Sequence, residues 1–393
     1  MAVIIQQTHA RYVRGLTTVD WFAVLNKSVE AFGALARYHI AVDTLSANTY
    51  SLIMRQVIDC MGAAGSPYTR KMLAMMRYRH IPYRLHWTMG QVPDGFPKPK
   101  VGLLPTYFLP GPDGELEAVT DSTPLIRRFE REYEGRSVIP RHPVLALLND
   151  LIEDYADEWL TKAMFHYRWA HEADFKNAGP LLIHWGSSTI DDQTASGMSD
   201  HFTQRQIERL YVVGSNETTA PIIEAAYIRF VGILNDLIQK TGFVLGARPS
   251  SSDFAILGQM TQLGVIEPTS ANVTSHLSPR VRAWIDRTED LSGVAPSDED
   301  WFDMDAAQSA LRPFLSEIGR TYTLVMLANA KAVTAGEVTF ETEVDGSKWT
   351  QPAFKYQAKS LSWVRNAYDT LDADDKRCVD TLLKDTGCGA LFQ

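Results

Sequence analysis

Cysteine is scarce in this sequence: Cys60, Cys378 and Cys388 stand alone among 393 residues. Three scattered thiols support neither a secreted disulfide framework nor a structural zinc site, so reduced cysteines are expected. The ten histidines form no HExxH motif or comparable ligand spacing, and no metal is expected. No apolar run reaches the eighteen or so residues of a membrane span, and the opening MAVIIQQTHARYVRG lacks a basic stretch followed by a long apolar one. The cytoplasm is the simplest location. A net charge of -9 argues against a broad phosphate-tracking surface. Basic and aromatic residues show no shared periodicity and there is no glycine-rich nucleotide loop, so no nucleic-acid partner is expected.

What is present describes a folded protein of more than one unit. The composition is 45% apolar and 22% charged, and the length exceeds what one typical core requires. Residues 1–50 read as an extension. Val57 and Ile58 lead toward Cys60 as a short strand, GAAG breaks it, and SPYTRKMLAMMRYRH then reads as a helix. In that helix Ser66 caps, Pro67 takes the first position, and Met72, Leu73, Met75 and Met76 form the apolar face. Arg70 and Lys71 fall near the helix start, and RYRH at 77–80 reads as a solvated boundary.

IPYRLHWTM alternates Ile81, Tyr83, Leu85 and Trp87 against Arg84, His86 and Thr88, which predicts a strand. VGLLPTYFL carries strand character interrupted by Pro105, PGPDGELEAVT gives a turn and a further strand, and DSTPLIRRFEREY starts a short helix. From 144 the pattern becomes helical, with one long periodic run over 144–171 and another over 203–240. Beyond about 301 the reading is one helix through AAQSALRPFLSEIGRTYTLVMLANAKAVT, an extended VTFETEV, and two more helices. The expected division is 1–50, 51–140, 141–300 and 301–393, the last packed on the helical module.

Three short segments carry candidate chemistry. A thiol–disulfide enzyme needs a cysteine where the helix starts, but SPYT places Ser66 and Thr69 there, which makes dithiol chemistry improbable. Ser66 either caps the helix only or donates a hydrogen bond to a substrate thiolate favoured by the helix amides. Pro105 is either a trans edge proline or a cis residue that turns backbone groups toward a peptide. Asp121 and Ser122 either cap the following helix or hold the charged end of a peptide.

Taken together, Ser66-Pro67-Tyr68, Leu104-Pro105 and Asp121-Ser122, in their strand and helix order, resemble the glutathione-binding half of the glutathione transferase family over roughly 55–135. The region to about 290 resembles that family's helical domain. The resemblance implies an α/β thioredoxin-like domain plus an all-α domain, with additional terminal segments. It implies Ser66 as the thiol-activating hydroxyl, Leu104 bonding the cysteinyl backbone before cis Pro105, and Asp121 and Ser122 holding the γ-glutamyl end. In GARPSSSDFAILGQM it implies that Ser250 and Asp253 form a buried capping box.

Met164, Phe165, Tyr167 and Trp169 are candidates to line a cleft for a hydrophobic electrophile, or else are core. Arg168 meets either a carboxylate of glutathione or a nearby acid. Glutathione as cosubstrate and a homodimer follow from the resemblance. The competing reading is a non-catalytic ligand-binding or protein-interaction protein of the same fold, favoured by the extra segments. Reduction through Cys60 ranks last, because Cys60 lies six residues before the helix cap.

Overall fold

The computed structural model describes residues 57–88 and 90–393, so the expected N-terminal extension lies outside the described residues. Four short strands form the first layer: β1 (Ile58–Gly62), β2 (Tyr83–Trp87), β3 (Thr106–Pro110) and β4 (Leu116–Val119). Their spatial order is β2-β1-β3-β4. β1 and β2 run parallel, with Cys60 opposite Leu85. This parallel step requires a crossover, supplied by helix α1 (Pro67–Tyr78). β3 lies antiparallel to both β1 and β4. The central strands bury Ile58, Cys60, Met61, Tyr107, Phe108 and Leu109.

β2 is a sheet edge, and there the expected alternation is only partly realised. Tyr83 and Leu85 are half-buried, whereas Trp87 is 53% exposed. Met72, Leu73, Met75 and Met76 are all buried, as the apolar face of α1 requires. The RYRH segment departs from its expected solvated role: Tyr78 and Arg79 are buried, and Arg79 pairs with Glu130 at 2.8 Å. Helix α2 (Ser122–Glu132) follows β4.

The helical part begins with α3 (Pro143–Tyr155), which continues through a π turn (Ala156–Leu160) into α4 (Thr161–Ala170). It goes on through α5 (Glu172–Gly186), α6 (Asp192–Ile207) and α7 (Ala220–Thr241). The run expected over 203–240 is therefore broken between α6 and α7. Asn216 supplies a reason, because its side-chain oxygen accepts from the amides of Thr218 and Thr219 and competes with helical bonds.

α8 (Ser251–Thr261) packs along α1 at van der Waals range. A Cβ on Gly258 would lie 2.4 Å from the Pro67 carbonyl oxygen, so only glycine permits this crossing. α9 (Pro268–Leu277) and α10 (Pro279–Thr288) complete this part.

Beyond residue 301 the single expected helix is two, α11 (Met304–Arg320) and α12 (Tyr322–Ala335). The helical dihedrals fail at Thr321, whose φ and ψ are -122° and -75°. VTFETEV is strand β5 (Thr339–Val344) of a hairpin with β6 (Ser347–Pro352), turned at Asp345 and Gly346, both at positive φ. The sequence reading missed β6, whose SKWTQP looks polar although Trp349 and Gln351 are buried.

Helices α13 (Lys355–Asp369) and α14 (Ala373–Leu383) end the chain with a 3₁₀ turn. These late elements share the main core. Phe314 and Tyr322 set their rings 5.6 and 6.2 Å from Tyr155, and Trp349 lies 5.3 Å from Trp159. Burying each such ring contributes up to about 3 kcal/mol. The fold is a thioredoxin-like α/β region, a long all-helical region, and further C-terminal helices with a hairpin. No helix among the described residues is long and apolar enough to cross a membrane.

Candidate functional site

The sheet register decides what meets Ser66. Because β1 pairs Met61 with Thr106, the loop leaving β1 runs beside the residues entering β3. Ser66 ends that loop as the cap of α1, with its Oγ accepting from the Thr69 amide at 3.2 Å. The same hydroxyl donates to the Leu104 carbonyl at 3.3 Å. The Leu104–Pro105 peptide bond is cis. Leu104 is half-buried and Pro105 buried, and the Thr106 hydroxyl ties the turn by donating to Leu103 at 2.7 Å.

Gly65 precedes the cap where α5 presses on the loop. A Cβ there would sit 2.2 Å from Leu182 Cδ2 and 3.0 Å from the Trp185 ring. These two half-buried side chains were not singled out in the sequence, since nothing in their own helix marks them as neighbours of Gly65. Arg168 supports the loop from below. Buried, it donates to the Gly65 carbonyl at 2.9 Å, to Gln262 at 2.6 Å and to Glu267 at 2.5 Å. The nearby-acid role fits that environment, and Arg168 positions Gly65.

Met164, Tyr167 and Trp169 are core residues, at 6%, 2% and 1% exposure, and so line no open cleft. Phe165 is half-buried, its ring 6.3 Å from that of Trp169.

Asp121 and Ser122 stand where β4 turns into α2. Asp121 holds φ at 83°, a conformation most side chains avoid, and it makes no side-chain cap bond. Its carboxylate instead accepts from the Tyr356 hydroxyl at 2.9 Å. Burial raises its pKa, against the lowering effect of Tyr356 and Lys71. Burial and then the charge of Asp121 push the Tyr356 phenol far above its ordinary value. Ser122 is buried. A residue of α13 thus reaches one end of the candidate site, 235 positions away in sequence.

Behind Asp121 lies a buried ionic cluster. Lys71 was expected at an anion-binding helix end, but its ammonium points into the interior and bonds Glu153 at 2.7 Å and Asp157 at 2.6 Å. Arg70, placed likewise, pairs with Glu289 at 3.2 Å. Burial pushes Glu153 upward, but the charges of Lys71 and Arg127 overcome it and hold the carboxyl at about 2. Asp157, second claimant on the same ammonium, is pushed up to about 6 by burial. Asp154 and Glu158 rise to about 7 and about 8, burial again the larger cause.

A cavity of about 310 Å³ opens beside this cluster, lined by Thr123, Arg127, Asp150, Asp154, Ser360 and Trp363 among others. A larger one, about 510 Å³, is lined by late residues such as Tyr368, Asp380 and Phe392 and by none of the site residues above.

Ser250 and Asp253 are fully buried at the start of α8. The Asp253 carboxylate accepts from the Ser250 amide at 2.9 Å, the Ser250 hydroxyl at 2.7 Å and the Val244 amide at 2.9 Å. The Cys60 thiol is buried, its pKa raised to about 12 by burial and then by Asp59, and it donates to the Arg84 carbonyl. No thiolate forms there near neutrality.

Residues 61–137 match the family model for the glutathione S-transferase N-terminal domain. No curated protein matches the chain. Among solved structures, it is similar to a glutathione S-transferase from Methylobacterium radiotolerans in complex with glutathione sulfonate. That likeness has 15% identity and a TM-score of 0.34, covering 62% of this chain and 99% of that one. The beta-etherase LigF from Sphingobium sp. strain SYK-6 aligns at 15% identity and a TM-score of 0.42, over 59% of this chain and 94% of that one. A Tau class glutathione S-transferase from mango aligns at 17% identity and a TM-score of 0.36, over 65% and 98%.

Proposed function

We propose that this chain binds glutathione along Ser66, Leu104–Pro105 and Asp121–Ser122 and activates its thiol toward a hydrophobic electrophile. The observation that carries this reading is the convergence of the Ser66 hydroxyl, at the start of α1, on the Leu104 carbonyl before a cis proline. In the proposed step the thiol proton passes to solvent, the sulfur attacks an electrophilic carbon, and the group on that carbon departs with its bonding electrons. Ser66 donates to the sulfur anion, and the helix amides favour the same charge. Its bond to Leu104 is long at 3.3 Å, so the hydroxyl can turn to a ligand at little cost. Leu104 would bond the cysteinyl backbone, and Asp121 and Ser122 the γ-glutamyl end. Leu182 and Trp185, packed on Gly65, replace Met164, Tyr167 and Trp169 as candidate walls for the second substrate.

A reducing cytoplasmic setting suits both this cosubstrate and the free cysteines, and a homodimer belongs to the same proposal. Glutathione titrated calorimetrically, with conjugation measured over several electrophile classes, tests the reading. Ser66→Ala is expected to lower kcat roughly 10- to 100-fold, the value of one hydrogen bond to a charged sulfur, with little change in glutathione Kd. Binding without conjugation of any electrophile would support the second reading, a non-catalytic ligand-binding protein. The Tyr356 contact on Asp121 favours that alternative. Absence of binding, in Tyr356→Phe as well as in the native chain, removes both.

A further inference from the structure

Three side chains that play no part in the proposed thiol site converge where α4, α5 and α7 meet. His166 lies on α4, His171 is the extended residue between α4 and α5, and Glu224 stands in the first turns of α7. The Nε2 atoms of His166 and His171 each lie 3.2 Å from Glu224 Oε1, and one ligand atom from each residue falls within 4.8 Å of the others. We propose that His166, His171 and Glu224 bind a divalent transition-metal ion of the zinc type.

Bonds of about 2.0–2.2 Å to nitrogen and oxygen set the corners of a tetrahedral zinc site about 3.3 Å apart, which the two measured separations already match. The donor set, two imidazoles and one carboxylate, suits that ion. Ser215 completes the arrangement. Its Oγ lies 2.8 Å from His166 Nδ1, so the ring is held with Nε2 turned to the centre, as an outer hydrogen bond holds a metal-bound histidine.

The simpler account is two imidazole N–H groups donating to one carboxylate oxygen. His171 does not fit it. Its Nε2 is buried and, although 3.2 Å from Glu224, makes no hydrogen bond of acceptable geometry to any group. A cation shared among the three residues accounts for an imidazole nitrogen aimed at the cluster without a bond of its own. The His166 side chain is 2% exposed, but those of His171 and Glu224 are 32% and 37% exposed. Three protein donors leave a fourth position of such an ion to water or an exogenous ligand. Sequence inspection missed it because the ligands are separated by five and then fifty-three positions and come from three elements.

The test uses the purified full chain, stripped with chelator and titrated with Zn²⁺ against a chromophoric competitor, with Co²⁺ added separately for its visible spectrum. One zinc per chain is expected, with a tetrahedral cobalt spectrum and a zinc-dependent rise in melting temperature. His171→Asn and Glu224→Gln alter partly exposed residues, so both should fold, as circular dichroism will check. Each is expected to weaken zinc binding at least on the order of 100-fold and to abolish the cobalt spectrum. Ser215→Ala should cost on the order of 10- to 100-fold. No stoichiometric zinc uptake by the folded native chain, or uptake unchanged in both ligand variants, overturns the site. Neither readout involves glutathione, so this proposal stands or falls apart from the thiol site.

Discussion

At Asp253 one carboxylate does the work of several caps. It accepts from two backbone amides and a hydroxyl, all in a fully buried setting. Asp253→Ala removes the acceptor and strands the Ser250 and Val244 amides, each costing about 1–3 kcal/mol when buried without a partner. A loss of about 3 kcal/mol is expected, with a smaller loss for Asp253→Asn, which keeps one acceptor oxygen. Urea unfolding would show it as a lowered midpoint at unchanged slope. This residue was legible in the sequence because a capping box is local, spanning three positions, and the same holds for Ser66 before Pro67. Tyr356 was not legible. Its contact with Asp121 depends on the path of α13, which no local pattern records. If Tyr356 competes with a peptide for Asp121, Tyr356→Phe should tighten glutathione binding, by roughly tenfold for one net hydrogen bond. Unchanged or weaker binding would instead make the tyrosine part of the ligand's own contacts.

Between elements, the seam of α1, α2 and α3 is polar where the periodicity of each suggests an ordinary apolar junction. Lys71 comes from α1, Thr123 from α2, and Glu153 and Asp157 from α3 and its π turn. The π turn adds a residue without ending the helix, which is why 144–171 reads as one run in sequence although its register shifts at 156–160. That shift places Asp157 toward Lys71 and the Asp157 carbonyl toward the Tyr68 hydroxyl at 2.8 Å. The helix break at Thr321 was equally hidden, since the apolar spacing of Ile318, Tyr322 and Val325 continues across it, whereas GSNETTAP around Asn216 carries a local turn signal. Truncating Lys71 leaves Arg127 as the cation on Glu153 and leaves Asp157 with the Thr123 hydroxyl but without its ammonium partner. Lys71→Met is therefore expected to destabilise by about 3–5 kcal/mol, the usual cost of breaking a buried pair from one side. The double variant Lys71→Met with Asp157→Asn should recover part of this loss. Equal instability in the single and double variants would mean that Lys71 acts through packing of its stem, not its charge.

Across the molecule, the carboxylates of α3 and its π turn connect the site layer to the C-terminal helices. Asp154 accepts from Tyr322 of α12 at 2.5 Å and from Ser360 of α13 at 3.3 Å, while Glu158 faces Asp154, Asp157, Gln357 and Lys162. Burial holds Asp157 and Asp253 at about 6, Asp154 at about 7 and Glu158 at about 8, all above the ordinary carboxyl range. Such groups keep their protons in the folded chain over a range in which the unfolded chain has already lost them. Their contribution is complete below about pH 4 and is lost as pH rises through 6 to 8, with a slope approaching 1.4 kcal/mol per pH unit for each group still protonated. Glu153, held at about 2, changes stability only on the acid side of this window. Lys162, lowered to about 8 by burial, acts in the opposite sense, but only above it. Stability is thus expected to fall between pH 5 and pH 8. Glu158→Gln, which keeps shape and polarity but cannot ionise, should flatten the fall and exceed the native chain at pH 8 while matching it near pH 5. Hydrogen exchange should locate the loosening at α12 and α13, which pack over Asp154 and Glu158 and bury the charge that appears there on ionisation. Stability that rises over this range, or a fall of equal slope in Glu158→Gln, would mean that the buried carboxylates ionise without cost and that the C-terminal helices are held by their aromatic packing alone.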